Sequence, residues 1–235
     1  MDAAEFQPPE PVVIARRSLI LSGIVCRASL ENYADEEYKR ETAALIHSWF
    51  DELGLWPYLE PCEEEIVRCP FDKMPKRLVV RGTWFVEGIA VLAWALNRHD
   101  FPPHDQKVDP VAITNALDFL DPSAEQLLTS PSARNQAELK AAREWSYDLH
   151  CTLRGFLHHG GDGRLAPWIG DYLATLGLEP HTVMKDGILT VAGKPIVETA
   201  RDELLEWENV ISERHRAAIW LEGRYPLYTE LPVDT

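Results

Sequence analysis

The chain has 235 residues, 46% of them hydrophobic, enough to build one large domain or two small ones and too many for a disordered polymer. Its 38 acidic residues against 23 basic ones give a net charge of −15, which argues against general nucleic-acid binding and against docking on anionic lipid. The same charge permits a basic protein partner or a cationic ligand.

The N-terminus, MDAAEFQPPEP, is acidic and proline-rich where a secretory signal would be basic and then apolar. The expectation is a soluble cytoplasmic protein with a flexible lead-in over residues 1–10 and a single helical domain over 11–235. A first helix is expected from Pro11 to about Leu30, with Ile14, Leu21, Val25 and Ala28 on its apolar face. A second, about Asp35 to Leu53, carries a stripe of Tyr38, Leu45, Trp49 and Leu53 and ends at Gly54. A short helix over Glu63–Arg68 opens on three glutamates. Consecutive positions diverge around a helix, so these read as an acidic first turn and not as metal ligands.

The most apolar run is Thr83 to Leu96, TWFVEGIAVLAWAL, inside a helix expected from about Pro75 to Asn97 with a bend at Gly82. Its length suits a buried core helix and not a membrane span. Glu87 is its one charge, on the face of Trp84, Val91 and Trp94. An unpaired buried charge is costly, so Glu87 should be protonated, paired with a base, or beside a water-filled cleft.

Residues 99–109 read as a polar, proline-marked loop. Helices follow at Pro110 to Leu120, Pro122 to Leu128, and from Ser130 or Ser132 to about His159. The last puts Ala137, Ala141, Trp145, Leu149, Leu153 and Phe156 on an apolar stripe. A second face holds Tyr147, His150, Arg154 and His158. HHGGDG at 158–163 lacks the lysine and preceding strand of a phosphate loop and reads as a turn. A helix over Leu165–Leu176 is followed by the one strand signal, a small β-hairpin near 182–192 turning at Asp186-Gly187. The final helix, about Val197 to Glu222, has the cleanest amphipathic pattern: Ala200, Leu204, Trp207, Ile211, Arg214, Ala218, Leu221. Arg214 takes a position the pattern reserves for an apolar side chain. The tail from Arg224, with Tyr225 and Tyr228, is expected to pack over the core. The fold class is thus mainly α, a multi-helix bundle of eight or nine helices with one hairpin.

Three segments resemble a bacterial family known as domain-of-unknown-function family 4272. Trp84, Glu87 and Val91-Leu92-Ala93-Trp94-Ala95-Leu96 look like its W-x-x-E-x-x-x-V-L-x-W-A-L helix. Leu149-His150 and Arg154 are similar to its L-H-W-A-x-R segment, with Cys151 in place of the usual tryptophan and Asp148 where arginine is common. Glu213-Arg214-His215-Arg216-Ala217-Ala218-Ile219-Trp220-Leu221 and the closing Asp234-Thr235 look like its E-R-H-R-A-L-N-W-L and final D-T, with Ala218-Ile219 replacing leucine-asparagine. The resemblance covers the chain from about Arg16 onward. It implies a helical fold and a bacterial source, and it implies no reaction.

The candidate functional cluster is therefore Glu87, His150, Arg154, Arg214, His215 and Asp234. In a functional reading Glu87 is a base, or an acid with a raised pKa, His150 or His215 a second proton carrier, and the arginines an anion clamp. In a structural reading Glu87 and Arg214 form a buried pair between core helices. No G-x-S-x-G or H-E-x-x-H is present, and Cys26, Cys62, Cys69 and Cys151 form no C-x-x-C, so they read as buried thiols without a redox role. No metal or cofactor is implied. Three functions of different classes remain: a non-enzymatic protein-interaction or regulatory module with an acidic surface; a small-molecule or anion-binding protein or enzyme built on the cluster; and a structural subunit of a homo-oligomer.

Overall fold

The computed structural model describes residues 7–231. Ten α-helices carry the fold among these residues: α1 (Pro11–Ser29), α2 (Glu36–Glu52), α3 (Pro61–Arg68), α4 (Lys76–Ala95), α5 (Pro110–Ala116), α6 (Glu125–Thr129), α7 (Gln136–His159), α8 (Ile169–Thr175), α9 (Pro180–Val183) and α10 (Arg201–Trp220). Three short strands, β1 (Met184–Lys185), β2 (Ile188–Val191) and β3 (Lys194–Pro195), form an antiparallel meander between α9 and α10.

The centre is α4, packed against α1 on one side and α10 on the other, and α10 in turn packs on α7. From Phe85 to Leu96 every residue of α4 and its cap is buried, Glu87 included, which is why the run is apolar all round. By length and composition α4 would also suffice to cross a membrane: 20 residues, with a mean hydropathy of 1.4 over its most apolar stretch. Length therefore does not separate a core helix from a span here; position does, since 72% of that stretch is buried inside the protein.

α4 runs unbroken through Gly82. The glycine allows close approach to α1: a Cβ there would stand 2.7 Å from that of Ala28. The α2 stripe is also displaced from its expected register. Tyr38 and Leu45 are 46% and 58% exposed, and the buried side is Lys39, Thr42, Ile46, Trp49 and Phe50. Lys39 is tolerated inside because its Nζ lies 2.6 Å from Glu36.

Other boundaries shift where caps outweigh hydrophobic pattern. α3 starts at Pro61, two residues early, because Glu60 and Glu63 form a capping box. α5 stops at Ala116, before Asp118 and Leu120 at positive φ. α7 starts at Gln136, behind an Asn135–Glu138 capping box, which leaves Ala137 exposed. α8 starts at Ile169, because Leu165 donates its backbone N–H to Gly187 and Arg164 bridges Ile188. The expected hairpin is a meander: its second turn, Ala192-Gly193, has both residues at positive φ, as does Asp186-Gly187. Thr182 belongs to α9. α10 begins at Arg201, behind a 3-10 turn over Ile196–Glu198. The cysteines are half-buried and unpaired.

Gln7 lies beside the residues that follow α10, where its backbone N–H donates to the Glu222 carbonyl. The tail packs inward as far as it is described, with Tyr228 and Leu231 buried.

Candidate functional site

The side chains expected to cluster fall into two buried pairs. Arg214, on α10, directs Nε and Nη2 at Oε2 of Glu87 on α4, at 3.0 and 2.7 Å. Oε1 of Glu87 accepts the backbone N–H of Val108 at 3.3 Å. Arg214 also donates to the carbonyls of Pro103 and Gln106. Helix spacing set this up, since α10 turns position 214 inward with Ile211 and Ala218. The pair thus ties the 99–109 loop to both core helices. Burial lowers the Arg214 pKa, opposed by the Glu87 charge.

The loop, expected as polar and proline-marked, buries His104. Its Nε2 lies 2.6 Å from the Thr190 carbonyl, which fixes Nε2–H as the donor and locks loop to sheet. Burial lowers its pKa. The cavity bordered by His104, Trp145 and Arg214 holds about 10 Å³, roughly one water.

The second pair is His150 on α7 and His215 on α10, with Nδ1 atoms 2.8 Å apart. One imidazole must donate and the other accept, so the Nδ1–Nδ1 contact forms with both rings neutral. Burial, then the neighbouring His150, Arg143 and Arg216, pull His215 down to about 3. His215 Nε2 is buried and meets no hydrogen-bond partner among the described residues. Tyr147 stands beside the pair, its ring 5.8 Å from that of His215. The supposed polar face of α7 is therefore split. His150 is 1% exposed, while Arg154 and His158 turn toward Glu208 on α10, at 3.9 and 3.0 Å.

Arg214 and His215 are neighbours on one helix and point apart, so the two pairs do not line one cleft. Asp234 lies outside the described residues. Among the described residues no group of three or more His, Cys, Asp or Glu converges as metal ligands would.

A third network lay outside the expected cluster. Arg17 on α1 pairs with Glu60, at 2.8 Å, and with Glu63. The Glu60 carboxylate accepts the backbone N–H groups of Tyr228 and Thr229, at 2.7 and 2.6 Å, and so ties down the tail. Glu63 is fully buried; burial outweighs Arg17 and pushes its pKa up to about 7. Glu63 is thus no solvated first-turn residue, whereas Glu64 and Glu65 are exposed. The spacing Glu60-Pro61-x-Glu63, a capping box with proline at N1, was the available signal.

The family model for the domain of unknown function DUF4272 matches residues 1–162. That span holds α1 to α7 and two of the three resembling segments; the segment around Glu213–Leu221 lies beyond it. No curated protein and no solved structure matches the chain. With well over half of its length matched, the chain belongs to the family of the domain of unknown function DUF4272.

Proposed function

We propose that this protein is a non-enzymatic interaction or regulatory module, working in the cytoplasm, that recognises a basic protein through an acidic face. The observation that carries this reading is the outer side of α2 together with Tyr33 just before it. Tyr33, Tyr38 and Leu45 are 51%, 46% and 58% exposed, and the rings of Tyr33 and Tyr38 pack 5.3 Å apart. Exposed Glu37 and Glu41 flank them. Aromatic anchors ringed by carboxylates fit an apolar, cationic partner surface, and the net charge of −15 would speed the encounter.

The alternative of an active site built on Glu87, His150, Arg154, Arg214 and His215 is less well supported. Glu87 is engaged by Arg214 and Val108, and His150 by His215, in places a substrate does not reach.

Affinity capture from the native host, comparing the natural chain with a Tyr38→Ala/Leu45→Asp variant of equal melting temperature, tests the reading. A partner lost with the variant, which rebinds the natural chain as a purified protein and weakens with salt, is the expected outcome. A partner that binds both chains equally places the interface elsewhere.

A further inference from the structure

A groove of about 560 Å³ runs between the first half of α4 and the middle of α10. Its α4 wall is one ridge, Arg77, Val80, Arg81 and Trp84, at spacings of three, one and three. Its α10 wall offers Asn209 and Ser212, small polar side chains able to hydrogen-bond. Val80 is 44% exposed and Trp84 is half-buried, so the floor is apolar and open to solvent.

The charges here are badly placed for the protein alone. Lys76 and Arg77 occupy the first turn of α4, where the macrodipole disfavours cations, and that turn holds no acidic residue. Arg77 and Arg81 sit at i and i+4, a repulsive pair on a helix. Lys76 and Arg77 are exposed and reach no carboxylate among the described residues. Arg81 donates to the Thr229 carbonyl and interacts with Glu213, which borders the groove and is also engaged by Arg216 at 3.2 Å, so the cations left without a carboxylate are Lys76 and Arg77. Lys107, its Nζ 5.9 Å from the Trp84 ring, is already held by Glu206 and adds no free charge. On a chain of net charge −15, Lys76 and Arg77, two exposed cations without a carboxylate partner among the described residues, stand beside a half-buried indole and mark a place for an anion.

We propose that this groove binds a small molecule made of an anionic group on a flat apolar ring. Arg77 and Lys76 hold the anion, and the ring lies on Trp84 against Val80. The volume fits a ligand of that size. The site is distinct from the α2 face and does not depend on it.

Calorimetric titration of the full chain at low salt tests this. The probes are 5′-AMP and indole-3-acetate as ring-bearing anions, adenosine as a neutral ring, and inorganic phosphate as a bare anion. At least one ring-bearing anion is expected to bind saturably, about tenfold or more tighter than adenosine or phosphate. Which of the two wins tells a phosphate ligand from a carboxylate one. Binding should fall about tenfold in Arg77→Ala, a variant that removes no internal contact, and should survive in Trp84→Phe but not in Trp84→Leu. Three results would overturn the proposal: no binding by either ring-bearing anion, phosphate alone binding as tightly, or Arg77→Ala binding as the natural chain does.

Discussion

Arg214 crosses from α10 to α4 and places Nη2 2.7 Å from Oε2 of Glu87, with both side chains at most 5% exposed. The remaining polar atoms of the pair are met by the backbone of the 99–109 loop. An ion pair so enclosed adds little net stability, yet it makes each charge dependent on the other.

Removing one partner is therefore expected to cost roughly 3–5 kcal/mol, because the other charge stays buried. Urea denaturation of Glu87→Ala and of Arg214→Ala checks this. The double variant Glu87→Leu/Arg214→Met should be more stable than either single one. An unchanged midpoint in Glu87→Ala would contradict its burial.

Stability should respond to pH through two groups of opposite sign. His215 is depressed from 6.5 to about 3, so its contribution is present above 6.5 and is lost as pH falls toward 3. Glu63 is raised from 4.5 to about 7, so its contribution is present below 4.5 and is lost as pH rises through 7. Between 4.5 and 6.5 the two slopes, each up to about 1.4 kcal/mol per pH unit, oppose one another. Unfolding free energies measured across pH should show His215→Asn, which can keep the bond to His150, losing less stability in acid. Glu63→Gln should lose less between pH 5 and 8. Profiles parallel to that of the natural chain would remove both assignments.

Gly82→Ala should destabilise by about 1–3 kcal/mol, as overpacking between two core helices does. The new Cβ would stand 2.7 Å from Ala28, whose own Cβ cannot rotate away. Adding Ala28→Gly should recover part of the loss, and thermal melts of the single and double variants measure it. If Gly82 served instead to bend α4, the second substitution would recover nothing.

The register of α2 separates two adjacent residues. Ile46→Ala should cost about 2–5 kcal/mol, as for a fully buried side chain. Leu45→Ala should stay within about 0.5 kcal/mol, since Leu45 is 58% exposed. Equal effects in chemical denaturation would mean the helix is turned otherwise.

Much of the fold could be read directly. Long stripes such as Leu204, Trp207, Ile211 and Ala218 name a helix and its buried side, because 3.6-residue periodicity records which side meets the core. Helix ends were less legible, because a capping box such as Asn135–Glu138 is a local hydrogen-bond arrangement that hydrophobic pattern does not record. The α2 register failed for a related reason. Thr42 and Lys39, the latter with its Nζ held by Glu36, face inward, so the apolar residues nearest the stripe, Tyr38 and Leu45, are left outside.

The site divides in the same way. The sequence alone determined that Glu87 sits in an apolar helix and Arg214 on an apolar stripe, and the cost of burying a charge then required each to find a partner. Only the tertiary structure decided that they find each other, that His150 meets His215 instead of joining them, and that Arg17 gathers Glu60 and Glu63 around the tail. It also decided that the cations of α4 face a groove with α10. Side-chain periodicity states which way a residue points from its own helix; which residue waits there depends on how separate helices cross, and no local pattern contains that.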